Sequence, residues 1–203
     1  EEITALVEKI RKQREARENA ITAVCEKTGW EREAAAEALK AAAACGLTRK
    51  QYLIKAAYDL SSEELPALAE ALQTAEIRRS QRQQFYLDTV CRKTGWDAAK
   101  AQAELDRFRD LGVTNLKYVQ NSLWELAEED LESAVQDILA YKDTISDNKE
   151  KYRSEIMEKT GWSRGKTDLE VLKCKNICGA SYEDFLVFKL YDCTPEQQRQ
   201  YVT

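Results

Sequence analysis

Histidine is absent from all 203 residues. That absence removes the side chain that most often serves as general base, as partner to a nucleophilic Ser or Cys, and as metal ligand. Only 2 prolines and 7 glycines are present, too little turn punctuation for a many-stranded β protein. No apolar run approaches the length of a spanning helix, mean hydropathy is −0.61, and no signal peptide is visible. Phosphate loops, dinucleotide fingerprints and serine elbows are missing as well. The 36 acidic residues form no pair singled out from a helical surface. The first residue is Glu1, without a methionine, which leaves room for a leader or another domain ahead of it.

Charged residues make up 33% and hydrophobic residues 43%, the profile of a soluble folded chain with a sizeable core. A net charge of −5 argues against a general binder of nucleic acid or of anionic membranes.

One tetrapeptide organises the chain. Lys27-Thr28-Gly29-Trp30 recurs as Lys93-Thr94-Gly95-Trp96 and as Lys159-Thr160-Gly161-Trp162, with the tryptophans 66 residues apart both times. Around it Cys25 aligns with Cys91 and Met157, and Leu39 with Leu105 and Val171. Further on, Gly46-Leu47-Thr48 aligns with Gly112-Val113-Thr114 and, after one inserted residue, with Gly179-Ala180-Ser181. Six of the seven glycines stand at these two junctions, where glycine closes a helix in the left-handed conformation.

The expected fold is all-α: three tandem 66-residue units, each a long helix plus two shorter ones, stacked as an array in a single domain. Their bounds fall near 1–62, 63–128 and 129–203. The first long helix carries Ile3, Leu6, Val7, Ile10, Arg14, Arg17, Ile21, Val24 and Cys25 on one face at spacings of three and four. An alanine-rich second helix covers about 31–45, and Thr48 caps a third through about Leu60. Ser61 or Ser62 with Glu63 and Glu64 resembles a capping box for the next long helix, and Thr194-Pro195-Glu196 gives the same signal. Ala127 offers no cap, and Asp143 to Asn148 is the weakest stretch of the last long helix.

Each candidate site has a structural alternative. Lys27, Thr28, Gly29 and Trp30, with Lys93, Thr94, Gly95, Trp96 and Lys159, Thr160, Gly161, Trp162, form a corner between helices. Free N–H groups there suit an anion. The favoured reading is architecture, with glycine closing the helix and tryptophan buried in the core. The six cysteines align with Leu, Ile or Met of other copies, or lie one turn apart as Cys174 and Cys178. Reduced structural thiols in a cytoplasmic setting are expected, with no metal and no cofactor. The aromatic pairs Tyr52/Tyr58, Tyr118/Trp124 and Phe185/Tyr191 are six apart, so one member of each belongs to the core. A polar belt, Arg78 to Gln84, interrupts the long helix and has counterparts at Arg11 to Glu18 and Lys142 to Lys151. Arg14, Arg78, Arg79, Arg82 and Lys149 on these belts are the candidate partner surface.

Residues 160–203, above all Gly179-Ala180-Ser181-Tyr182-Glu183-Asp184-Phe185-Leu186-Val187-Phe188-Lys189-Leu190-Tyr191-Asp192 and the run Thr194 to Thr203, resemble the helical lead-in of bacterial sugar-transfer-associated ATP-grasp proteins. In that family such a segment precedes a nucleotide-binding ligase domain involved in surface-polysaccharide assembly. The resemblance implies a ligase domain beyond Thr203 and makes this chain its non-catalytic front end. No nucleotide- or magnesium-binding residue of the family has a counterpart here, so no catalytic residue carries over. The expectation is a non-enzymatic interaction domain docking a protein, a peptide or a carrier-linked substrate. The rivals are a self-standing adaptor that holds a peptide in its groove and an anion or small-molecule binder at the corners.

Overall fold

The structure, a computed structural model, describes residues 2–201, and side chains from Thr4 to Tyr201 apart from those of 142–147. It is all-helical, with no strand among the described residues. The long helix α1 (Glu2–Thr28) is followed by α2 (Arg32–Ala44), α3 (Arg49–Ile54) and a 3-10 turn at Ala57–Asp59. The order recurs as α4 (Glu64–Thr94), α5 (Ala98–Asp110), α6 (Asn115–Gln120) and a turn at Leu123–Glu125. It recurs again as α7 (Glu128–Thr160), α8 (Arg164–Cys178), α9 (Tyr182–Val187) and a turn at Leu190–Asp192, before α10 (Pro195–Gln200). The α7 backbone is helical through Asp143 to Asn148.

Two compact units divide the chain, one of Glu1–Gln73 with Arg153–Thr203 and one of Thr74–Tyr152. The divisions fall inside α4 and α7. Polar residues occupy those helix middles, and a core cannot be built around them.

The core of the first unit gathers Ala20, Ile21 and Val24 of α1, Ala35, Leu39 and Ala42 of α2, and Leu47, Tyr52 and Ala57 beyond. Leu65, Leu68 and Ala71 of α4 close it, and Leu169 of α8 enters the same cluster. The second unit repeats the plan with Val90, Ala101, Leu105, Phe108, Val113, Tyr118 and Leu123, packed by Leu131, Ala134, Val135 and Ile138 of α7. Tyr52, Tyr118 and Phe185 are buried, while Tyr58, Trp124 and Tyr191 are half-buried at ring distances of 6.2, 5.8 and 6.1 Å. Burial pushes the phenols of Tyr52 and Tyr118 up to about 12.

Two expectations need correction. The third helices do not run to Leu60 and its counterparts. Each stops after six residues, at a residue held near φ +48°: Ala56, Ser122 and Lys189. A residue with a Cβ in that region costs about 1–2 kcal/mol. The turn it makes drops Ala57, Leu123 and Leu190 into the core, and that burial offsets the strain. The apolar face of α1 is also shorter than its periodicity implies. Ala20, Ile21 and Val24 are buried, but Leu6, Val7 and Ile10 are exposed because no described element packs over that end of the helix. The register of the copies sets Leu6 beside Leu72 and Ile138, both of which are covered by a core.

Candidate functional site

Each corner is built the same way. The Thr28 hydroxyl donates to the Val24 carbonyl at 2.7 Å and accepts from the Trp30 N–H at 3.1 Å. Thr94 does so with Val90 and Trp96, and Thr160 with Ile156 and Trp162. The hydroxyl thereby satisfies a last-turn carbonyl and the first free N–H beyond the helix. The glycine between holds φ of 73°, 72° and 71° in the three corners, which no L side chain adopts cheaply. Lys27, Lys93 and Lys159 are exposed in the last turn, where their charge complements the helix dipole.

The tryptophans are not the buried pins expected. Trp30 is 39% exposed, and Trp96 and Trp162 are half-buried. Threonine has taken the hydrogen-bonding role at the corner, so the indoles lie against its outside. Trp96 leans on the second core with the Lys100 ammonium 4.5 Å from its ring centre. Trp30→Ala should therefore cost less than about 1 kcal/mol in a urea titration, as an exposed substitution does. Trp96→Ala should cost more than Trp30→Ala; equal costs would contradict this geometry.

An anion at these corners would face acidic competition. The residues that start the following helices are Glu31, Asp97 and Ser163. Asp97 and Ser163 already accept the backbone N–H of Lys100 and Lys166 at 2.8 and 3.2 Å. Two of the three starts thus carry a carboxylate where a bound anion would sit. The corners are distributed over both units, and none of the clefts described below is lined by a corner residue.

The belts are solvated. Arg14, Arg78, Arg79, Arg82 and Lys149 are all exposed, and in α4 every residue from 76 to 85 is exposed. That stretch includes Ile77 and Phe85, at 54% and 59% exposure. Ile77, Arg78, Gln81, Arg82 and Phe85 follow at i, i+1, i+4, i+5 and i+8, which is one helix face. In the third belt, the side chains of 142–147 lie outside the described residues.

The most elaborate polar site was not marked by any motif. Arg153 of α7 and Asp168 of α8 are each 4% exposed and pair through Nε–Oδ1 at 2.7 Å and Nη2–Oδ2 at 3.4 Å. The Tyr182 hydroxyl donates to Asp168 Oδ1 at 2.6 Å, and its ring lies 5.3 Å from the Arg153 guanidinium. Burial first, then the Asp168 charge, raises the Tyr182 phenol above its ordinary range. A signal existed in the alignment: Arg153 stands where the other copies have Ile21 and Leu87, and Asp168 where they have Ala36 and Gln102.

Within the first unit α8 also lies against the first copy. The Gly165 N–H points at Asp59 Oδ2 at 3.4 Å, and Asn176 Nδ2 donates to the Ala71 carbonyl at 2.8 Å. Lys166 pairs with Glu64 at 2.5 Å and Glu170 at 3.2 Å. The Lys166 hydrogen bond, then that of the Ser61 backbone, holds the Glu64 carboxyl below the ordinary carboxylate range. Besides the contacts of each copy with the long helix that follows it, the first unit thus sets α8 of the third copy against the first copy.

The six cysteines are free thiols. Cys174 is buried with its Sγ 3.6 Å from that of Cys178, and burial pushes its thiol up to about 12. No group of three or more His, Cys, Asp or Glu that could hold a metal occurs among the described residues. No helix among them is long and apolar enough to cross a membrane. No family model, curated protein or solved structure matches the chain.

Proposed function

We propose that the chain is a non-catalytic helical-repeat interaction domain that presents the middles of its long helices to a partner protein. The observation that carries this reading is the α4 face of Ile77, Arg78, Gln81, Arg82 and Phe85. It exposes two large apolar side chains beside two arginines, and Arg78, Arg82 and the adjacent Arg79 have no ion pair among the described residues. Exposed apolar side chains bracketed by arginine are the composition of interface hot spots.

Three tandem units of one plan support the repeat reading. Their corner glycines agree in φ to within a few degrees, and so do their left-handed breaks at Ala56, Ser122 and Lys189. Threonine hydroxyls make the same two bonds in each. Six free thiols support a cytoplasmic setting. The narrower reading, a front end that docks a partner or carrier-linked substrate for an ATP-grasp ligase of surface-polysaccharide assembly, rests on residues 160–203 alone.

Charge reversal tests the surface. Arg78→Glu, Arg79→Glu and Arg82→Glu together should lower capture of the partner by the intact protein, with the thermal midpoint held within about 4 °C. Unchanged capture would reject this face. ATP turnover by residues 1–203 would reject the non-enzymatic reading.

A further inference from the structure

Two adjoining clefts open in the first unit between α1, α2 and α3. The larger, about 790 Å³, is lined by Ala16, Ala20, Leu47, Leu53 and Ile54 along its apolar floor. The smaller, about 340 Å³, has Ile21, Leu39 and Ala43 beneath it. Arg49 and Ala43 belong to both, so one continuous furrow runs along the flank of α1.

The rim of this furrow is cationic. Arg17, Lys40, Arg49 and Lys50 line it, and no acidic side chain does, in a chain with 36 acids against 31 bases. Lys40 reaches only Glu37, at 3.6 Å across exposed side chains, and Arg17, Arg49 and Lys50 have no ion pair among the described residues. Arg11, Arg107 and Arg109 take a carboxylate from their own helix, at Glu8, Glu104 and Asp106. The arginines of the furrow, like those of the α4 belt, do not. Ile54 extends the apolar floor to the surface at 60% exposure.

We infer that the furrow is the docking groove for an acidic amphipathic helix of a partner protein. Its leucine-type anchors would lie on Ala16, Ala43, Leu53 and Ile54, the accessible apolar residues of the furrow, and carboxylates on its flanks would pair with Arg17, Arg49 and Lys50. Apolar anchors along one helix face, read by a groove and oriented by flanking charge, are a recurring mode of helix recognition. The rim charges would set encounter rate and orientation, and the apolar floor the residence time. An anionic lipid surface would suit the cations but would not enter a recessed furrow. A free acidic tail would leave the apolar floor bare.

This inference rests on the reading of the chain as an interaction domain and adds a second surface to it. The probe is a fluorescent peptide helix of roughly four turns, with leucines at i, i+3, i+4 and i+7 and glutamates on both flanks, titrated into residues 1–203. Binding should weaken at least about tenfold in the exposed double variant Arg17→Glu/Arg49→Glu, and similarly in Ile54→Glu. The same peptide with glutamine flanks should bind at least about tenfold more weakly. Circular dichroism of each variant should match that of the parent. Equal affinity of the parent and Arg17→Glu/Arg49→Glu overturns the inference. Equal binding of polyglutamate, or binding to phosphatidylserine vesicles lost in the same variant when the peptide does not bind, overturns it too. Loss of partner capture on Arg78, Arg79 and Arg82 reversal with no peptide binding would sink the furrow alone. Peptide binding with unchanged capture would sink the α4 face alone.

Discussion

Asp168→Ala should be among the most damaging single changes in the chain, costing about 3–5 kcal/mol in a denaturant titration. The substitution takes from the Arg153 guanidinium, 4% exposed, its two hydrogen bonds to the Asp168 carboxylate and strips Tyr182 of its 2.6 Å acceptor. The cost comes from the hydration already given up by the buried guanidinium more than from the lost pair. Two ions taken from water forfeit hydration that their mutual attraction barely repays. The sister copies show what replaces the pair, since the first has Ile21 and Ala36 at these positions. Arg153→Ile with Asp168→Ala and Tyr182→Phe should therefore recover most of the stability lost by Asp168→Ala alone. Such recovery identifies the hydration lost by the buried charge as the penalty; a triple variant as unstable as the single one would show that the network itself holds α7, α8 and α9 together. The triad lies in the first unit and has no equivalent in the other two copies, where Ile21 and Leu87 stand in place of the arginine.

The all-helical class was legible because glycine and proline are scarce and apolar residues recur at three and four. Capping was legible too: Thr48, Ser181 and Thr194 each accept the N–H three residues on, within a complete capping box. The left-handed breaks were not. Ala56, Ser122 and Lys189 are not residues that favour positive φ, and the burial of the residue after each, not local propensity, drives the chain into that region. The tryptophans misled because an indole has the area of a core residue, whereas the corner is held by the threonine hydroxyl and the glycine φ. Exposure of Leu6, Val7 and Ile10 was hidden for another reason. Periodicity reports which face of a helix is apolar and says nothing about whether another element lies against it. For the candidate partner surface, charge pattern singled out Arg78, Arg79 and Arg82; the exposure of Ile77 and Phe85 depends on which elements cover α4, which charge pattern does not report. The furrow beside α1 was illegible altogether, because Arg17 lies in α1 and Arg49 and Ile54 in α3, some thirty residues on, and only the packing of these helices brings them together.

Gly165→Ala should separate the two parts of the first unit that Gly165 joins. It is the one glycine that stands at neither repeated junction. It sits in the first turn of α8, and an added Cβ would meet the Ala56 carbonyl oxygen well inside van der Waals contact, with Asp59 Cβ at 3.2 Å. The obstacle is backbone, held in its left-handed turn, so it cannot swing aside as a flexible side chain would. The intrinsic helix preference runs the other way: alanine is better than glycine inside a helix by about 1 kcal/mol. Packing must win for the copies to be docked as described, and overpacking of this kind costs about 1–3 kcal/mol. The net loss should therefore be up to about 2 kcal/mol. Displacement of α8 would also lengthen Asn176 to Ala71 and Lys166 to Glu64, and it would lift Leu169 from the shared cluster. Hydrogen exchange should report this locally. Amides of α8 and of the Ala56 turn should lose protection in Gly165→Ala, while those of α5 and α6 in the second unit keep theirs. The neighbouring exposed site Arg164→Ala, which adds no atom at the contact, is the control and should leave α8 protected. A Gly165→Ala protein more stable than its parent would mean that helix propensity prevails and that α8 does not rest on Ala56 in solution.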